Sequence, residues 1–143
     1  MKDLSPAIEK RIDSICAEAD DLFDNELCEE AIAKYQEALS ILPEPLEDYE
    51  PSAWLLSSMG DVYLFMEKYE QALFHYEHAM ECVDSEDNPY LHLRIGQSLY
   101  ELHRDDEAAE SLFEAYLIEG VEIFAEEDPA YLEFLKSKKE LPE

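Results

Sequence analysis

Glycine is scarce, with three in 143 residues, and Val/Thr alternation is nearly absent, so strands have little to build from. Cysteine is equally thin. Cys16, Cys28 and Cys82 are scattered and show no C-x-x-C spacing, which argues against a disulfide framework or a zinc site and fits reduced thiols in a cytosol. No run of residues approaches the roughly 18 apolar positions of a membrane span. The opening MKDLSPAIEK has no apolar core of the kind a signal peptide needs. A soluble, cytoplasmic protein is the expectation.

Positive charge is also short. Ten basic residues face 37 acidic ones, for a formal charge of -27. Such a chain repels nucleic-acid phosphates and the anionic face of a membrane, so neither is expected as a partner. A basic protein or peptide is the complementary expectation, although excess carboxylates also keep a helical surface soluble. What the chain does have is 47% hydrophobic and 11% aromatic residues, enough to bury one sizeable core.

Those residues are periodic. Ala31, Tyr35 and Ala38 share one helical stripe in "EAIAKYQEALSILPEP". The spacing recurs as Ala72, Tyr76 and Ala79, and again as Ala108, Leu112 and Ala115. Twelve residues before each copy stands a small residue, Ala19, Gly60 or Gly96, inside another helical stretch. A helix-turn-helix unit is therefore repeated three times.

This pattern resembles the tetratricopeptide repeat, whose first helix carries a Trp-Leu-Gly-Tyr pattern and whose second carries alanine and an aromatic before a closing proline. Pro43 closes the first copy. Departures are Ala19 for glycine, Leu22 for tyrosine, Leu112 for the aromatic, a late Pro89, and Gly120 in place of proline. The resemblance implies an all-α, helix-turn-helix solenoid of three repeats in one domain, at about 12–45, 53–86 and 89–122, with a C-terminal capping segment over 123–143. Ser5-Pro6 and Asp128-Pro129 are expected helix starts, and Lys136, Lys138 and Lys139 fit a helix C-terminus. The cap offers an apolar stripe of Val121, Ile123, Phe124, Tyr131, Phe134 and Leu135. The first two copies lie 41 residues apart and the next two 36, and the surplus falls in "EPLEDYEPS", which reads as an exposed, solvated loop.

No catalytic set stands out, and no phosphate-binding glycine loop exists, so an enzyme is not expected and no cofactor is implied. His75 and His78 are three apart on a helix, but no third metal ligand is placed, so edge packing is favoured over a metal site. In the repeat family the first helix of each unit lines a concave groove. The residues of this chain opposite its core stripe are Asp13, Cys16, Asp20, Phe23 and Asp24 in the first copy. The second contributes Trp54, Ser57, Asp61, Leu64 and Phe65, and the third Tyr90, Leu93, Gln97, Tyr100 and Glu101. An aromatic, anionic groove suits a Lys/Arg-bearing partner, with inter-helix packing as the other use of each aromatic. The carboxylate-clamp members of the family need basic groove residues, and this chain offers Arg94 alone. The third copy and its tail resemble small bacterial repeat proteins of toxin-linked loci, which implies an immunity or antitoxin-like inhibitor of a basic toxin, as a monomer or weak homodimer. The alternative is a cytosolic chaperone or scaffold for an extended apolar client.

Overall fold

The computed structural model describes residues 3–142. Among them stand seven α-helices and no strand, so the fold is all-α, of the helix-turn-helix repeat class. The chain divides into two compact units at Glu86/Asp87.

The first unit contains α1 (Pro6–Asp24), α2 (Cys28–Ile41), α3 (Glu50–Phe65) and α4 (Tyr69–Met80), paired as hairpins α1/α2 and α3/α4. Ser5 caps α1, its hydroxyl accepting from the Ile8 amide at 3.3 Å, and Pro6 fills the first helical position, as expected. The alanine stripes are fully buried: Ala31, Ala38, Ala72 and Ala79 expose nothing, and Tyr35 and Tyr76 lie between them. Gly60 faces the Tyr76 ring, and Ala19, at the matching position of the first hairpin, shares a buried cluster with Tyr35. A methyl built on Gly60 would stand 2.7 Å from Tyr76 Cε1, closer than packed atoms tolerate. Each ring passes its neighbour and donates its hydroxyl to the first helix. Tyr35 bonds Asp20, and Tyr76 bonds Asp61 at 2.5 Å, both pairs being fifteen residues apart.

Each hairpin turns through one residue in the left-handed region, Glu26 and Glu67 at φ 60° in this unit. Around each, the amide three residues past the helix end reaches back five positions (Leu27 to the Leu22 carbonyl, Lys68 to the Tyr63 carbonyl, both 2.9 Å). That bond and the shorter one from Glu26 or Glu67 form a Schellman cap, a geometry usually given to glycine. Here the chain places glutamate in it, at a cost of about 1 kcal/mol per turn.

The segment between the hairpins departs from the solvated loop expected. Leu46–Asp48 form a 3-10 turn, Tyr49 is buried at 6% exposure, and Leu46, Glu47 and Asp48 are half-buried. The turn is pinned to the end of α4: Val83 donates to the Glu47 carbonyl at 2.9 Å, and the Glu47 carboxylate meets His78 Nε2 at 2.7 Å. Ser52 closes it from α3 by donating to the Leu46 carbonyl. Satisfied backbone and a buried tyrosine make the acidic run a clasp. His78 draws the Glu47 carboxyl below its ordinary pKa.

The second unit contains α5 (Pro89–Glu101), α6 (Asp105–Glu119), a 3-10 turn at Val121–Phe124 and α7 (Pro129–Lys138). Asn88 caps α5 through the Tyr90 and Leu91 amides, and Asp128 caps α7 through Ala130 at 2.9 Å. His103, at φ 61°, makes the third hairpin turn with the same bonding. Gly96 faces Leu112, where an added methyl would lie 2.6 Å from Cγ and 3.0 Å from the backbone nitrogen. Leu93, Leu112, Ala115, Phe124 and Leu135 form the core cluster. Val121 is outside it and 52% exposed, because the 3-10 turn rotates it off the apolar stripe on which the sequence placed it.

Replacing the left-handed residue by glycine relieves strain, so Glu67→Gly should stabilise by about 0.5–1 kcal/mol, read as a higher urea midpoint with an unchanged slope. Gly96→Ala should destabilise by about 1–3 kcal/mol because the buried Leu112 side chain, with its backbone nitrogen behind it, blocks the methyl. Gly60→Ala should cost less, since the first hairpin already holds Ala19 in the same register against Tyr35, and thermal unfolding of both variants checks the order. Cys16 and Cys82 are buried, and burial first, then nearby carboxylates, pushes each thiol from about 9 to about 11. Between those values the folded chain keeps protons that the unfolded chain releases, so stability should fall as pH climbs from 9 to 11. Urea titrations across that range test it, and replacing both cysteines by alanine should make the fall shallower, leaving the part that the raised Tyr35 phenol contributes above pH 10.

Candidate protein-binding faces

In the first unit, α1 and α3 run side by side in one direction: their starts line a hollow with Asp13, Glu50 and Pro51, and their ends meet at Phe23 and Phe65, ring centroids 5.6 Å apart. Helical spacing fixes what the pair presents. Trp54, Asp61 and Phe65 stand at i, i+7 and i+11 on α3, and Asp13, Asp20 and Asp24 hold the same spacing on α1. The two stripes are open. Trp54 is 49% exposed and Phe65 55%, Asp13, Asp20 and Asp24 are exposed, and Phe23 and Asp61 are half-buried. Trp54 also packs edge-on against Tyr35 at 6.3 Å, which fixes its ring.

Two of these carboxylates have an internal duty that the sequence reading did not assign. Asp20 and Asp61 accept the tyrosine hydroxyls of the second helices, so they tie each hairpin together as well as charge the face. Burial, then Asp20, drives the Tyr35 phenol above its ordinary pKa and keeps it a donor. The repeated fifteen-residue offset between Asp and Tyr was the available signal. Cys16, expected beside them, is buried at 6%.

In the second unit the matching stripe is covered by the chain itself. Gln97 is 1% exposed, a correction to its expected place on an open groove: its amide donates to Glu127 at 2.7 Å and its carbonyl accepts from Arg94 at 2.7 Å. Arg94 is in turn ion-paired with Glu127 at 2.7 Å and lies 4.9 Å over the Tyr90 ring. Leu93 is buried in the core cluster. Tyr100 packs on Tyr131 at 5.3 Å and Phe134 at 4.9 Å, and Glu101 accepts the Tyr131 hydroxyl at 3.0 Å. Tyr90, Tyr100 and Glu101 are each half-buried. Glu127, Tyr131 and Phe134 come from thirty or more residues downstream, beyond the reach of local periodicity.

Among the described residues no three His, Cys, Asp or Glu side chains gather as a metal site. His75 Nδ1 lies 2.7 Å from the Gln71 carbonyl oxygen, and His78 faces Glu47. No described helix is long and apolar enough to cross a membrane.

Known proteins place this geometry. No curated protein sequence matches the chain. Among solved structures, the TPR domain of Arabidopsis OM64 is similar at TM-score 0.73 and 17% identity, over 92% of this chain and 99% of that one. The Yersinia enterocolitica type III secretion chaperone SycD, in complex with a peptide of the translocator YopD, is similar at 0.71 and 18%, over 90% and 92%. The second TPR domain of human RPAP3, in complex with the HSP70 peptide SGPTIEEVD, is similar at 0.70 and 18%, over 93% and 99%. The tetratricopeptide repeat model itself matches residues 14–85, half of the chain. Hairpins, small-residue contacts and this match agree: the chain belongs to the tetratricopeptide repeat family, whose fold is a protein-interaction scaffold and generally not an enzyme.

Proposed function

We propose that this protein is a non-catalytic binding module whose α1/α3 face takes a basic segment of another protein. The observation that carries the reading is the pairing, on two adjacent open stripes, of exposed Trp54 and Phe65 with Asp13, Asp20, Asp24 and Asp61. Aromatic faces supply apolar area and cation-π contacts, and carboxylates pair the charges. An acidic peptide such as the one in the RPAP3 complex would meet repulsion here. The net charge of -27 favours rapid, steered capture of a basic partner. An immunity or antitoxin-like inhibitor of a basic toxin, the role implied by the tail resemblance, is the form of this function we favour.

A second reading is a chaperone for an extended apolar client, favoured by the likeness of fold to SycD and to PcrH in complex with the chaperone-binding region of PopB. Salt separates the two. Affinity for a basic partner should fall steeply as ionic strength rises, and affinity for an apolar segment should not.

Capture from host lysate at low and physiological salt, followed by binding kinetics on the retained protein, tests the proposal. Asp24→Lys should slow association roughly 2- to 5-fold with dissociation little changed. Trp54→Ala should speed dissociation about tenfold or more. Asp61 is a poorer probe, because its replacement also strands the Tyr76 hydroxyl. Affinity untouched by both changes would rule out this face.

A further inference from the structure

The outer surface of α4 carries a residue that repeat packing does not ask for. Phe74 is 65% exposed, the most exposed large apolar side chain among the described residues. In the register of the repeats its counterparts are Ala33 and Glu110, both exposed, so no core contact requires an aromatic there. Phe74 lies outside the alanine stripe and touches the rings of His75 and His78, at 5.3 Å and 6.4 Å between centroids. His78 is held from behind by Glu47 in the clasp at 2.7 Å, which fixes one wall.

Phe74, Glu77, His78 and Glu81 stand at i, i+3, i+4 and i+7 and line one hollow. Helix α4 contains no lysine or arginine, and among the described residues no basic side chain pairs with Glu77 or Glu81. An exposed aromatic ring beside two carboxylates a helical turn apart matches one side-chain chemistry closely. A guanidinium stacks on an aromatic face while its fork of donors bonds carboxylates, whereas a lysine ammonium does the second without the first. A purely apolar occupant would have to desolvate both glutamates.

We propose that this hollow is a second docking surface, taking an arginine side chain of a basic partner, stacked on Phe74 and paired with Glu77 and Glu81. It shares no residue with the α1/α3 face and stands independently of that reading. A partner engaging both surfaces would gain avidity from two modest contacts.

The test uses the full chain, isotopically labelled, titrated with a short peptide of alternating arginine and glycine and followed residue by residue in NMR spectra. The expected result is saturable shifts at Phe74, Glu77, His78 and Glu81, about tenfold weaker in Phe74→Ala and in Glu77→Gln/Glu81→Gln, and unchanged at this locus in Trp54→Ala. Phe74 is outside the core, so its variant should keep wild-type helicity and melting temperature. The lysine analogue of the peptide should bind more weakly here. Shifts confined to Trp54 and Phe65 would overturn this proposal and leave the α1/α3 reading standing, and shifts nowhere would count against both. A leucine–glycine peptide shifting the same α4 residues equally well would overturn the arginine assignment.

Discussion

The close approach of the two helices in each hairpin is the constraint on which the rest depends. One small residue on the first helix (Ala19, Gly60 or Gly96) faces one large side chain on the second (Tyr35, Tyr76 or Leu112), flanked by alanines that expose nothing. Because interiors are close-packed, that fit sets the helix separation and the rotation of each helix about its axis. Rotation in turn decides which residues of α1 and α3 face outward. The tyrosines couple the two levels, since their rings fill the contact and their hydroxyls hold Asp20 and Asp61 on the exposed side.

From the same packing rule the two units reach different surfaces. In the first, Trp54, Phe65 and the aspartates are left open. In the second, where Leu112 and Gln97 replace the Tyr/Asp pair, Glu127, Tyr131 and Phe134 from the following segment cover Gln97 and part of Tyr100. Loss of the hydroxyl–carboxylate bond and gain of an internal cover go together. A buried glutamine with both ends of its amide bonded is suited to lie beneath such a cover, whereas a buried lone aspartate is not.

Helix existence, pairing and caps were legible in the sequence because they follow local rules: the 3.6-residue period, Ser-Pro and Asp-Pro starts, and a fixed twelve-residue offset between small residues. Three features were not. The clasp at Leu46–Asp48 reads as a loop because its acidic, proline-flanked composition hides Tyr49, whose burial depends on the end of α4. Gln97 looks outward by helical phase, and it is closed over by Glu127, thirty residues away, together with Arg94 on its own helix. The double role of Asp20 and Asp61 was present in their spacing from Tyr35 and Tyr76, but abundant carboxylates made any one acidic pair uninformative. Local periodicity thus fixes which side of a helix is core, and tertiary cover decides how much of the other side remains available.

The proposed binding of a basic partner places it on the open aromatic and acidic stripes of α1 and α3. Site-specific photo-crosslinking measures this most directly, with a benzophenone side chain placed at Phe65 in one sample and at exposed Glu110, on the second unit, in another. A basic partner on this face should give a covalent adduct from Phe65, lost when salt is raised before irradiation, and none from Glu110. Equal adducts from both positions, or adducts from Phe65 that survive high salt and contain an uncharged apolar segment, would contradict it.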